Sequence, residues 1–376
     1  MACAPCVKGK YIMDTKLLEL YGNRMEFPGR LLSGNPQDYV GMALSVSCTI
    51  FFRWGWQEEK KEAICKALDK YMSCFGSEIK WVFSDEEPGK GNKQEYKKTE
   101  PLRKLYKKWD DNVLVYRKYK GGNTFDDASP YSFLIGSRRK WKSDKFERAG
   151  EIGMDVVRFS VPLPALVQHP KVFQEMVLEL ADGLDALHGF AGLSTELSPD
   201  QLTEEPTEAW QAQRWNGMSV GDDFLASGRL ATTRIKTVSW LTIIGQDIIP
   251  KADYQWLRSE LPPSWFAFYE YKTGVIVQSG PAPDPAPLSS NPLPATYVLP
   301  NMLLKPFRAE DCTIHLNTGL TPLIATKEAR SAWLSRFDVP EDQLDVYKAK
   351  LTKMPCLKQK HVLMDAIDPR LQPLYK

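Results

Sequence analysis

The chain has 376 residues, 43% of them hydrophobic and 26% charged, with a formal net charge of +2. That balance excludes a disordered or fibrous chain and supplies enough apolar material for a large core, more than one compact unit usually holds. No run of 18 apolar residues argues for a membrane span, and the opening MACAPCVKGKYIMDTK lacks the apolar stretch of a secretory signal.

Residues 1–38 read as an N-terminal arm. Within it Cys3 and Cys6 form a lone CxxC with no second pair. Seven scattered cysteines in all read as reduced thiols of a cytoplasmic protein, not as a disulfide framework or a zinc site. From 39 to 53, YVGMALSVSCTIFFR alternates as a long strand, with Met42, Leu44, Val46, Cys48 and Ile50 on one face. A helix is predicted over 57–75, carrying Ala63, Ala67, Leu68 and Met72 as a stripe and stopping at Gly76. IKWVF at 79–83 is the next strand; a Lys-rich polar stretch follows, then the strand YSFLIGS at 131–137.

The order then restarts. DVVRFSVPL at 155–163 reads as a strand, and Val172, Met176, Val177, Leu180, Leu184 and Leu187 mark a helix over 170–187. The strand FAGLSTEL, an acidic loop and a Trp-containing helix at 207–216 come next. VSWLTIIG at 238–245, a short helix at 251–260 and a hairpin of WFAFYEY and GVIVQSG complete the run. The recurrence predicts an α+β protein with two similar β-α-β-containing lobes, an internal duplication, with mainly antiparallel sheets over 39–150 and 151–308. PAPDPAPLSSNPLPATYVLP, 281–300, holds seven prolines in twenty residues; it reads as a surface strap and not as a helix or central strand. Ala325, Ala329, Ala332, Trp333 and Phe337 have helical spacing, and Pro340 opens a further helix, so 309–376 is expected to be a small helical C-terminal extension.

Charge is unevenly placed. Between 90 and 148, 17 basic residues face 8 acidic ones; between 175 and 223, 11 acidic residues accompany the single basic Arg214. The first block interleaves Tyr and Trp with Lys and Arg over 97–120, which is the composition of a nucleic-acid surface. The acidic block and the near-neutral total weigh against that alternative.

The motifs of enzymes are missing: there is no HExxH, GxSxG, Walker loop, GxGxxG or paired CxxC. His188, in LDALHGFAGLSTEL, is the one histidine placed to suggest a general base and hence a hydrolase. His169, His315 and His361 fall on loops or in the tail and offer it no partner. The structural reading is stronger: His188 caps the last turn of the 170–187 helix, Gly189 supplies the left-handed helix end, and Gly192 allows close backbone approach. Asp126-Asp127 and Asp222-Asp223 read as turn and capping pairs rather than a metal site. No catalytic residue, cofactor or metal is expected.

Several stretches occur together in a telling order: VSCTIFFRW, DVVRFSVPL, LHGFAGL, RIKTVSWLTIIG, GVIVQSGPAP and LLKPFR at 303–308. Over residues 40–308 the chain resembles the type VI secretion immunity family whose members are antitoxins against VRR-type nuclease effectors. The resemblance implies a cytoplasmic, non-catalytic protein that binds a cognate secreted toxin stoichiometrically, with no membrane, small-molecule or direct nucleic-acid partner. His188, Gly189, Gly192, Lys236, Trp240, Leu241, Gly274 and Gly280 match the family pattern and read as framework. A nuclease presents a positive channel to phosphates, so an inhibitor gains from acidic groups laid on it. The candidates are Glu204, Glu205, Glu208, Asp222 and Asp223, with Trp210 and Trp215 as interface anchors.

Overall fold

The computed structural model describes residues 26–375, apart from 86–91, 149–152, 200, 222, 228–231, 290–292 and 317–323. Eleven strands among them form one sheet: β1 (Glu26–Gly29), β2 (Gln37–Phe52), β3 (Trp81–Ser84), β4 (Asn92–Glu95), β5 (Val115–Lys120), β6 (Ser132–Ser137), β7 (Asp155–Val161), β8 (His188–Leu197), β9 (Leu241–Gly245), β10 (Phe266–Tyr271) and β11 (Gly274–Ser279). Their order across the sheet is β10-β11-β9-β8-β2-β7-β6-β5-β3-β4, with β1 paired to β2, and every pairing is antiparallel.

The long alternating strand of the sequence is β2, the middle of the sheet. It sits between β7 and β8, with Thr49 opposite Arg158 on one side and Phe190 on the other. Val46, Cys48 and Ile50 are fully buried on its first face, and Ser45, Ser47 and Thr49 are equally buried on the second. A strand buried on both faces needs cover on both. The helices Glu58–Phe75 and Pro170–Leu184 supply it on the first face, packing so closely that a Cβ on Gly183 would stand 2.9 Å from the Cβ of Ala63. Tyr71 joins them to the sheet, stacking edge-on against Phe133 and Phe159 and donating its hydroxyl to Ser160 O at 2.9 Å. The second face lies under the helices Gln201–Ala212 and Asp223–Ser227.

The α+β class is as expected, whereas the duplication is not confirmed. One sheet runs through both halves, and β6 and β7, on either side of the boundary drawn at 150, are paired neighbours. The halves also thread it differently: after its helix the first goes out to β3 and returns to β6, while the second starts beside β2 at β8 and works outward. Three local readings need correction. The Pro170–Leu184 helix stops at Asp185, itself in the left-handed conformation at φ 48°, and not at Gly189. Gly189 lies within β8, where a Cβ would stand 2.6 Å from Thr49 O; close strand packing, not a helix end, requires the glycine. The proline-rich segment does contain a helix, Ala295–Leu304, with Pro300 inside it.

The tail is less helical than expected and more deeply integrated. After the helices Lys327–Leu334 and Leu344–Lys350 it continues as short 3-10 turns. It runs along the outer edge of β10, where Ile367 bridges Tyr269 and the fully buried Tyr375 donates its hydroxyl to Phe266 O at 3.1 Å. Covering an edge strand in this way removes a template for unwanted pairing.

Candidate functional site

The second face of the sheet carries charge where apolar packing would be ordinary. Arg158 of β7 spends its whole guanidinium inside the protein: on Glu196 Oε1 at 3.0 Å, Asp223 Oδ2 at 2.7 Å and Thr195 O at 2.8 Å. Asp223 also receives the Thr49 hydroxyl at 2.6 Å and the ammonium of Lys236, wholly buried, at 2.8 Å. Lys118 of β5 closes the chain on Glu196 Oε2 at 2.8 Å. Charges alternate along the series Lys118, Glu196, Arg158, Asp223, Lys236, so each buried ion has an opposite neighbour. Burial alone would raise the Glu196 carboxyl, but Lys118 and Arg158 outweigh it and hold the group at about 2. Asp223 is held low in the same way, against its burial, by Lys236 and Arg158. The cleft beside these groups is about 40 Å³, which is room for water and not for a substrate.

The expected acidic surface turns inward. Glu204 accepts Arg30 N at 2.9 and 3.0 Å and the Tyr39 hydroxyl at 2.7 Å, tying the Gln201–Ala212 helix to the β1–β2 connection. Glu205 accepts Leu316 N at 3.0 Å through both oxygens. Glu208 takes the Thr195 hydroxyl, Gly221 N at 3.0 Å and His315 Nε2 at 2.6 Å. From Glu204 to Ala212 every residue but Trp210 is buried. These glutamates and Asp223 are therefore internal staples, and the negative balance of 175–223 is not a negative surface there. Asp222 lies outside the described residues.

The tryptophans divide. Trp215 packs against the main core, donates Nε1 to Gln211 Oε1 at 3.2 Å, and bridges Pro287. Trp210 is half-buried, with the Arg214 guanidinium 4.5 Å from its ring centre. Beside it the proline-rich strap is stapled down: Asn216 N donates to Ala286 O and Gly217 N to Pro285 O, and Ala286 is held at φ 43°, a conformation costly for a residue with a Cβ. Leu288 N then bonds Arg214 O, leaving the Leu288 side chain 67% exposed. Arg214 thus links the two: its guanidinium lies on the half-buried Trp210 ring, and its carbonyl holds the strap at the exposed Leu288. Trp210 was named from the sequence, whereas Leu288 was not singled out within the proline-rich run.

His188 is structural, though not as a helix cap. It opens β8, wholly buried, with Nδ1 3.0 Å from Ile243 O and Nε2 accepting Lys236 N at 2.8 Å, an arrangement that needs the neutral ring. Burial lowers its pKa to about 4. The basic 97–120 stretch is likewise partly internal: Arg117 and Lys120 are buried in β5, and Asp127 accepts Val40 N and Thr124 N. Among the described residues no group of three or more His, Cys, Asp or Glu is placed to hold a metal.

These shifts fix an acid-stability profile. Glu196 sits below its ordinary 4.5, so its contribution of about 3 kcal/mol is complete above pH 4.5 and disappears as pH falls toward 2. His188, lowered from 6.5 to about 4, loses stability for the protein as pH falls through that window. Asp155, raised by burial from 3.8 to about 6, acts in the opposite sense over nearly the same range. We expect urea midpoints to change little between pH 6.5 and 4.5 and to drop sharply below, with Glu196→Gln flattening the lower limb. An unchanged lower limb in that variant would show that Glu196 is not the group responsible.

The model of a family described as type VI immunity for VRR-NUC matches residues 63–337. By structure, the chain is similar to the Pseudomonas aeruginosa T6SS protein PA0821, with a TM-score of 0.84 and 30% sequence identity over 93% of this chain and 99% of that one. No curated protein sequence matches. Among the described residues no helix is long and apolar enough to cross a membrane.

Proposed function

Because this chain belongs to the TsiV family of type VI immunity proteins for VRR-NUC, a family of immunity proteins and not of enzymes, we propose that it neutralises a cognate VRR-NUC effector nuclease in the cytoplasm by stoichiometric binding. What supports a contact surface here is the Arg214 guanidinium on the Trp210 ring, beside an exposed Leu288 tied through its backbone to Arg214. Tight protein complexes are anchored by a few rigid aromatic, arginine and apolar groups, and preorganisation spares the ordering cost on binding. This surface then covers the nuclease's active site or substrate channel. The acidic-face version of this reading is set aside for Glu204, Glu205, Glu208 and Asp223, since buried carboxylates committed to internal bonds do not steer a partner.

Trp210→Ala is expected to speed dissociation of the effector complex about 10- to 100-fold, equivalent to about 1.5–3 kcal/mol, with little change in association. Surface-binding kinetics beside a nuclease-protection titration measures this directly. Unchanged kinetics for both Trp210→Ala and Leu288→Ala would move the contact to another face. Failure of the wild-type protein to protect against any VRR-NUC effector would remove the function itself.

A further inference from the structure

A second concave site lies at one end of the sheet, where β2 ends, the Glu58–Phe75 helix begins and the β10–β11 turn closes. It is a crevice of about 380 Å³, and its lining includes Trp54, Lys60, Asp185, Asp247, Lys272 and Thr273. Two residues in the left-handed conformation meet there, Asp185 as the end of its helix and Trp54 with no such role. Of the four described non-glycine residues with positive φ, Trp54 at 59° and Asp185 at 48° both line this crevice. Backbone strain of this kind persists only where the surroundings over-determine it, and it gathers at ligand sites.

Two oxygens of lining residues, Asp185 Oδ1 and Thr273 Oγ1, are buried without a hydrogen bond, and Lys272 covers the first as an ion pair. The other Asp185 oxygen is taken by Lys60 Nζ at 2.5 Å. Lys272 Nζ stands 3.4 Å from Oδ1 on a side chain 72% exposed, a loose cation at the mouth. Asp247, on the same rim, has only a 3.7 Å contact with Arg53, whose guanidinium lies 6.0 Å from the Trp54 ring centre. The unmet need is for a donor-rich cation between a carboxylate and a hydroxyl, against an indole face. A planar guanidinium has the chemistry for it: several donors in one plane, and a flat face that stacks on an aromatic ring.

We propose that this crevice is a guanidinium-binding site, filled either by an arginine side chain of the bound effector or by a free guanidinium compound. Lys272 is the occupant a guanidinium displaces. Trp54 is the platform, and Asp185 with Thr273 forms the floor. The first source rests on the immunity reading above, whereas the second does not.

The test uses the full chain and N-acetylargininamide as probe, with the uncharged isostere N-acetylcitrullinamide as control, followed through the Trp54 indole resonance. Wild type is expected to show a saturable shift with the arginine probe only. Trp54→Gly suits the left-handed backbone, so a merely structural tryptophan loses only its ring packing there; here probe affinity falls about tenfold. Thr273→Val weakens binding by a smaller factor. Lys272→Ala tightens it, which no structural role predicts. An effector affinity lowered about tenfold by Trp54→Gly assigns the guanidinium to the effector, and an unchanged one assigns it to a free compound. No saturable shift, an equal shift with the citrulline control, or affinities indifferent to all three variants overturns the site. Loss of the immunity reading has a separate signature: wild type that binds no effector and still binds the probe.

Discussion

Asp223→Ala is expected to lower the unfolding free energy by about 3–5 kcal/mol, because removing one member of a buried ion series strands the others. Three donors lose an acceptor together: Arg158 Nη1, the Thr49 hydroxyl and Lys236 Nζ, which keeps only Val220 O at 3.2 Å. Little water reaches Lys236, whose side chain is 0% exposed, and only the small cleft beside Arg158 can offer any. Asp223→Asn keeps the volume and one acceptor, so it should fall between wild type and alanine. Pairing Asp223→Leu with Lys236→Met removes two charges at once and should cost less than the sum of the single changes. Denaturant unfolding at neutral pH reads all of this. A loss below about 1 kcal/mol for Asp223→Ala would mean that the network is solvated and not a buried stabilising layer.

Removing residues 352–376 should have the larger effect. Leu357, Val362, Leu363, Ile367 and Tyr375 are all buried, and burial of each such side chain is worth about 1.5–3 kcal/mol. Their sum is comparable with the whole stability of a typical domain, about 5–15 kcal/mol. The deletion also strips polar ties from the hairpin: Gln174 and Gln278 lose their shared acceptor His361 O, and Trp265 loses Met354 O. The truncated chain is expected to accumulate as aggregate through the bared β10 edge. Ile367→Ala, costing about 2–4 kcal/mol, tests the same contact in a chain that still folds. Soluble yield and gel filtration report the first, and a thermal melt the second. A truncated protein that is monomeric and melts with wild type would contradict the clamp.

What the sequence revealed was what local periodicity carries. β2, the two apolar helices on the first face, β7 and the β10–β11 hairpin follow from spacings of two or of three and four, and each stands within a few residues of its expected place. The candidate site was half legible. Pro206 made a helix start at 207 the natural reading, since proline is at home in a first turn. The helix begins six residues earlier with Pro206 inside it, so Glu204 and Glu205, read as loop acids, are helical and face inward. A charge count cannot separate a solvated carboxylate from one that staples a distant backbone; only the tertiary position of Arg30, Leu316 and Gly221 does. In the same way, β5 hid behind its own basic residues, because Arg117 and Lys120 are charged yet occupy buried positions of the strand. The joining of two apparent units into one sheet was out of reach for a further reason: β2 selects partners that lie far along the chain, and nothing in its own residues names them.

That choice of partners sets a clock. The middle strand precedes β7 and β8 in the chain, and the β10 edge is covered by Ile367 and Tyr375, which come later still. Folding that depends on such distant pairings is slow, and it cannot proceed in the order of synthesis. The supply of folded protein therefore lags its own synthesis.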